Sequence, residues 1–108
     1  MKLTVVIPTF NRPEKLNHTV DCLRKQSVPG DDYEIVVVDN GSVEPVHIVP
    51  YEGRPACRLI RFEQNQERAI ARNAAAEAAK GELLLFSDDD LGTESDFLAA
   101  HPRGPIPR

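Results

Sequence analysis

The sequence predicts an α/β domain: an open, mostly parallel, Rossmann-like sheet that stops after its fourth strand. Three observations carry this. Strand-like and helix-like segments follow one another as β-α-β-loop-β-α-β and then a short helix, the order of a parallel sheet covered by crossover helices. Residues 3–7, 35–38 and 83–86 are almost unbroken β-branched or apolar runs, as strands buried on both faces are. Polar or acidic residues stand directly after these runs, at the carboxyl ends where open α/β sheets bind their ligands.

Leu3-Thr4-Val5-Val6-Ile7 is the first strand and leads into Pro8-Thr9-Phe10-Asn11-Arg12-Pro13. Pro8 lacks an N–H and is expected to stop the ladder. Asn11 is expected to cap a helix with Pro13 in its first turn, where Glu14 suits the positive end of the helix dipole. Leu16, Val20 and Leu23 recur at i, i+4 and i+7 and give one apolar stripe. That helix should reach about Gln26 before Val28-Pro29-Gly30 ends it.

Tyr33 to Val38 is the second strand, and it delivers Asp39-Asn40-Gly41-Ser42 at its carboxyl end. In a parallel pair joined by a right-handed crossover, Asp39 shares an edge with Thr9. The same four residues also suit a turn, since Asx residues before Gly make one and Asn-Gly supplies φ > 0. Pro45, Pro50 and Pro55 exclude a long helix from residues 43–56, so a loop with at most one helical turn is expected.

Cys57 to Phe62 alternates polar and apolar, as a third strand at a sheet edge would. Asn65 can cap an alanine-rich helix from about Gln66 to Lys80, with Gly81 placed to end it. Arg68 and Arg72, four apart, share a face of that helix. The fourth strand, Leu83 to Phe86, then runs into Asp88-Asp89-Asp90. After a turn at Leu91-Gly92-Thr93, Glu94 to Ala100 can make one or two helical turns. Three prolines in His101 to Arg108 argue against a regular element there. The chain thus divides into a ligand-binding half-domain, residues 1–91, and a short helix with a proline-rich tail, residues 92–108.

Composition narrows the function. A chain of 108 residues is at most one small domain, able to bury roughly two-thirds of its unfolded surface. A net charge of −4 argues against nucleic acid as a partner. No apolar run approaches the roughly 18–20 residues of a membrane span, and no leader is expected before the first strand. A cytoplasmic location is expected, with peripheral association at the inner membrane face compatible with it. Cys22 and Cys57 lack metal-ligand spacing and are expected to be reduced, half-buried thiols.

The acidic triplet carries the strongest chemical signal. Two like charges about 4 Å apart repel by roughly 1 kcal/mol in water and about 4 at an effective dielectric near 20. A hard divalent cation such as Mg²⁺ or Mn²⁺ reverses that sign. A solvated acidic turn is the plain alternative. Position favours the cation, because Pro8-Thr9, Asp39, Arg72 and Asp88-Asp89-Asp90 converge on one predicted edge. Together they could hold a nucleoside diphosphate: a carboxylate accepting from a base, an arginine on phosphate, a cation bridging acid and pyrophosphate. A dinucleotide-dependent oxidoreductase would also want an acid such as Asp39, yet PTFNRP contains no glycine for the phosphate turn. Receiver or phosphatase chemistry wants carboxylates where Pro8 and Thr9 stand.

With VVIPTFNRPEKL, EIVVVDNGS and EQNQERAIARNAAAEAAKGELLLFSDDD in that order, the chain resembles the amino-terminal half of a family 2 glycosyltransferase of the GT-A fold over roughly residues 3–91. The resemblance implies that a nucleotide-diphosphate sugar, typically a UDP-sugar, is bound. Pro8 and Thr9 would line the base pocket, Asp39 would bind the base, and Arg72 would lie near the diphosphate. Asp88 would face the ribose, and Asp90, with Asp88, would hold Mn²⁺ or Mg²⁺. Asp89 occupies the variable middle position. A module that binds nucleotide and metal without turnover is the competing implication.

Two places depart from the family pattern: Gln66-Glu67 stands where Gly-Gly is frequent, and Asn40 where a second aspartate is common. The family's acceptor-binding half and catalytic base lie downstream of the acidic motif, so no general base is assigned, Glu94 and Asp96 included, and the acceptor is unknown. An internal fourth strand would leave residues 83–86 with an open edge, and self-association through it is expected.

Overall fold

The computed structural model describes residues 3–26, 29–48, 53–87 and 106–107. Among them are strand β1 (Leu3–Thr9), helix α1 (Pro13–Arg24), a single 3-10 turn at Gly30–Asp32, strand β2 (Tyr33–Asn40), strand β3 (Ala56–Phe62), helix α2 (Arg68–Ala78), strand β4 (Leu83–Phe86) and strand β5 (Ile106–Pro107). The sheet order is β3-β2-β1-β4-β5. Its first four strands are parallel and β5 is antiparallel.

Period-two alternation sorts the core into two layers. Odd-numbered residues Val5, Ile7, Ile35, Val37 and Leu85 meet Leu16, Val20 and Leu23 of α1. Even-numbered Val6, Val36 and Val38 meet Ala71 and Ala75 of α2 on the opposite face. The stripe read from α1 is therefore its buried face, and the alanines of α2 let that helix lie close to the sheet. Tyr33 closes the first layer by donating its hydroxyl to the Leu23 carbonyl at 2.6 Å near the end of α1.

The chain winds outward from β1 through β2 to β3, then returns through α2 to β4 on the other side of β1. This reversal is a topological switch point, and it opens a crevice between the carboxyl ends of β1 and β4.

At the opposite edge a buried network fastens α2 to the sheet. The Glu34 carboxylate accepts from the Thr4 hydroxyl at 2.8 Å, from Arg58 Nη2 at 2.8 Å and from the Lys80 N–H at 2.6 Å. Arg58 also donates to the Ala78 carbonyl, and Gly81 N–H donates to Thr4 Oγ1 at 2.9 Å. Gly81 was expected to stop the helix, but the helix has already left α geometry at Ala79. The glycine is needed for close approach, since a Cβ there would lie 2.7 Å from the Leu3 carbonyl carbon.

Several expectations are corrected. Pro8 does not end β1: Pro8 and Thr9 remain in register with Val38 and Asp39 of β2, while pairing with β4 stops at Val6. Val6 turns its carbonyl to the Ser87 N–H, and Pro8, two residues on, faces the same way. The donor that proline lacks is thus missing only on the β4 side. Asn11 does not cap α1, whose N-cap is Arg12 with no side-chain cap. Instead Asn11 takes a left-handed φ of 54° and ties the strand exit to the loop after β2. Its N–H donates to Ser42 Oγ at 2.8 Å, and its Oδ1 accepts from the Val43 N–H at 2.8 Å.

Asn65 likewise caps nothing; the N-cap of α2 is Glu67, again without a side-chain bond. The tail expected to be irregular contributes β5, with Ile106 opposite Leu84 and Pro107 opposite Leu83. Unpaired edge groups of β4 offer it partners, and proline is tolerated on an edge. The edge expected to stand open is therefore covered along Leu83 and Leu84. β3 is an edge strand as read. The segment expected to form a turn and short helix, residues 91–100, lies outside the described residues.

Candidate functional site

A cleft of about 660 Å³ occupies the crevice between β1 and β4. Val6, Pro8, Thr9, Phe10 and Arg12 line it from β1 and its exit, and Val38 and Asn40 from β2. Asn65, Gln66, Arg68, Ala71 and Arg72 form the wall around the start of α2, and Phe86 and Ser87 complete it from β4. Its described lining holds three guanidinium groups and no carboxylate, in a chain whose net charge is −4.

Helix α2 adds to this field. Its N-terminus has no side-chain cap and no acidic residue in the first turn, and Arg68 is its first residue. A cation there opposes the positive end of the helix dipole, at a cost of about 0.3–1 kcal/mol. An anion in the cleft would offset that cost and pair with the exposed N–H groups.

The wall beside α2 is held by β2. Asn40 Nδ2 donates to the Gln66 carbonyl at 3.0 Å while Gln66 N–H donates to Asn40 Oδ1 at 2.8 Å. Asn65 Nδ2 donates to the Asn40 carbonyl at 2.9 Å. The approach requires Gly41, whose φ is 82° and where a Cβ would lie 2.4 Å from the Asn65 nitrogen.

The sequence-derived site residues fall as follows. Pro8, Thr9 and Arg72 line the cleft. The guanidinium of Arg72 lies over the Phe86 ring, 4.8 Å from its centroid. Asp39 ends the same strand edge but is fully buried and is not among the lining residues. Its Oδ1 accepts from the Ser42 N–H at 3.0 Å and its Oδ2 from the Val46 N–H at 3.2 Å. Arg61 Nε lies 3.6 Å from Oδ2. These bonds organise the loop after β2, the turn-forming role that the DNGS sequence also allowed.

Asp88, Asp89 and Asp90 lie outside the described residues. They follow Ser87, whose N–H donates to the Val6 carbonyl at 2.8 Å on the cleft wall. Among the described residues no group of three His, Cys, Asp or Glu side chains could hold a metal.

Sequence reasoning missed Arg12, Phe10, Asn65, Gln66 and Phe86 as site residues and saw Arg68 only as a helix-face partner of Arg72. The signal for Arg68 was its i−4 spacing from Arg72. For Arg12 it was its position just past the first strand. The two cysteines are unpaired thiols, as expected. Burial pushes the Cys57 thiol up, against the opposing influence of Arg24.

The family model described as Glycosyl transferase family 2 matches residues 4–100. Validoxylamine A glucosyltransferase of Streptomyces hygroscopicus subsp. limoneus is 38% identical over 112 residues, covering 97% of this chain and 24% of that protein. The poly(ribitol-phosphate) beta-N-acetylglucosaminyltransferase TarP of Staphylococcus aureus (strain N315) is 31% identical over 97 residues, covering 82% and 28%. Among solved structures, S. aureus TarS 1-349 in complex with UDP-GlcNAc superposes with a TM-score of 0.66 at 30% identity, covering 83% of this chain and 27% of that one. The mannosyltransferase PcManGT from Pyrobaculum calidifontis, in complex with GDP-Man and Mn²⁺, gives 0.74 at 28% identity, covering 94% and 33%. The chain spans about a quarter of the length of these curated relatives.

Proposed function

The chain belongs to glycosyl transferase family 2, with a sheet of the GT-A type, and on that premise we propose that it is the donor-binding part of a glycosyltransferase that uses a nucleoside-diphosphate sugar, a UDP-sugar first of all. One observation carries the reading. Arg12, Arg68, Arg72 and the uncapped start of α2 surround a single cleft at the switch point of the sheet, and the chain passes from its wall straight into three aspartates. A diphosphate leaving group needs such an environment, because charge develops on it as the glycosidic bond breaks.

Arg72 supplies a planar fork of N–H donors suited to phosphate oxygens. Arg12 and Arg68 add positive charge on either side, and the N–H groups at the start of α2 orient the anion. Pro8 and Thr9 form the floor for the base, and Asp39 shapes that floor through the loop it holds, with base recognition as its further role. Asp88 and Asp90 would hold a Mn²⁺ or Mg²⁺. Their carboxylate oxygens are the donors that a hard divalent cation prefers. When bound, the cation helps neutralise the departing diphosphate. Complexes of related structures with UDP-GlcNAc and with GDP-Man and Mn²⁺ support the ligand class.

Calorimetric titration of UDP, GDP and dTDP with Mn²⁺ tests the reading on wild type, Asp39→Ala and Asp90→Ala. UDP should bind most tightly, Asp90→Ala should lose the metal dependence, and Asp39→Ala should blunt the preference among bases. Equal affinity in all three proteins would remove the site assignment. Donor hydrolysis or transfer with and without Mn²⁺ separates an enzyme from a module that only binds.

A further inference from the structure

Phe86 ends β4 half-buried, in register with Val6 and packed against the core layer that includes Val38 and Ala71. That packing restrains its ring. Arg72, exposed on α2, has a long side chain that loses rotamer freedom whenever it is held still. The 4.8 Å separation of its guanidinium carbon from the ring centroid is inside the range of about 6 Å over which an aromatic face attracts a cation. Both side chains line the cleft.

The kind of partner matters here. A carboxylate would fix Arg72 by occupying its N–H donors, the same groups a phosphate needs. An aromatic face holds the guanidinium by its flat side and leaves its N–H edges available. We propose that Phe86 is a positioning residue for the diphosphate: it presents Arg72 with its donor fork open toward the cleft. This rests on the nucleotide-binding reading above.

The test compares UDP with uridine, which lacks the diphosphate, in wild type, Phe86→Leu and Phe86→Tyr, each with and without Arg72→Ala. Phe86→Leu should weaken UDP binding roughly three- to tenfold and leave uridine unchanged, and Phe86→Tyr should restore UDP affinity. With Arg72→Ala present, Phe86→Leu should have no further effect on UDP. Equal weakening of uridine, or an undiminished effect of Phe86→Leu once Arg72 is gone, would make Phe86 merely a wall and overturn the proposal.

A second readout uses the unsubstituted protein. The Arg72 Nε–H resonance should be displaced by the ring current and should move on adding UDP but not uridine. A resonance at the unstacked position overturns the proposal even where Phe86→Leu fails to fold. Wild type that binds uridine but not UDP overturns it too, whereas wild type that binds neither removes the nucleotide reading on which it rests.

Discussion

Asn40 and Gln66 are joined by two hydrogen bonds running in opposite directions, from Asn40 Nδ2 to the Gln66 carbonyl and from the Gln66 N–H to Asn40 Oδ1. A carboxamide can donate and accept at once, and a carboxylate can only accept. Asparagine therefore fits a place where the family frequently has aspartate, and it fixes the backbone that stands where the family frequently has paired glycines. Asn40→Asp puts an acceptor against the Gln66 carbonyl. It should cost about 1–2 kcal/mol in urea unfolding and weaken UDP binding as well, because Gln66 lines the cleft. Unchanged stability would mean that the pair contributes nothing in solution.

Asp39 should prove structural as well as functional. Asp39→Ala strands the Ser42 and Val46 N–H groups and leaves Arg61 facing a buried gap, at a cost of about 1–3 kcal/mol. Amide hydrogen exchange at Ser42 and Val46 should accelerate in Asp39→Ala more than in Asp39→Asn, which keeps one acceptor. Equal protection in all three proteins would contradict these bonds.

The Glu34 network predicts a pH dependence. Burial alone would push its carboxyl up, but bonds from the Lys80 N–H, the Thr4 hydroxyl and Arg58 outweigh that and hold it below its ordinary value of 4.5. A carboxyl lowered in the folded state contributes stability that is present above its unfolded value and is lost as pH falls through the folded one. Glu34→Gln should be about 1–3 kcal/mol less stable than wild type at pH 7, and this gap should shrink as pH drops below about 4.5. A constant gap down to pH 3 would contradict the linkage.

The fold was legible where apolar pattern and burial coincide. β1, β2 and β4 are continuous apolar runs because both of their faces are covered, and α1 shows its stripe because only one of its faces is. β3 alternated, as an edge strand does. The switch point followed from topology, so Pro8, Thr9 and Arg72 could be assigned to one rim.

What stayed hidden depends on partners distant in sequence. Asn11 and Asn65 look like caps locally, yet their side chains bond to Val43 and Asn40, 32 and 25 residues away. Pro8 breaks only one of two ladders, and strand order decides which. The pairing of residues 106–107 with β4 cannot be read from a proline-rich tail. Arg12 and Arg68 become site residues only once a cleft exists between them.

Backbone amide resonances titrated with UDP and Mg²⁺ test the central claim most directly, because they locate the ligand without any substitution. The account predicts saturable shifts at Thr9, Arg68, Arg72 and Ser87, around the carboxyl ends of β1 and β4, and little change at Thr4, Glu34 and Gly81 on the opposite edge. Shifts confined to that opposite edge, or none at any UDP concentration, would contradict it.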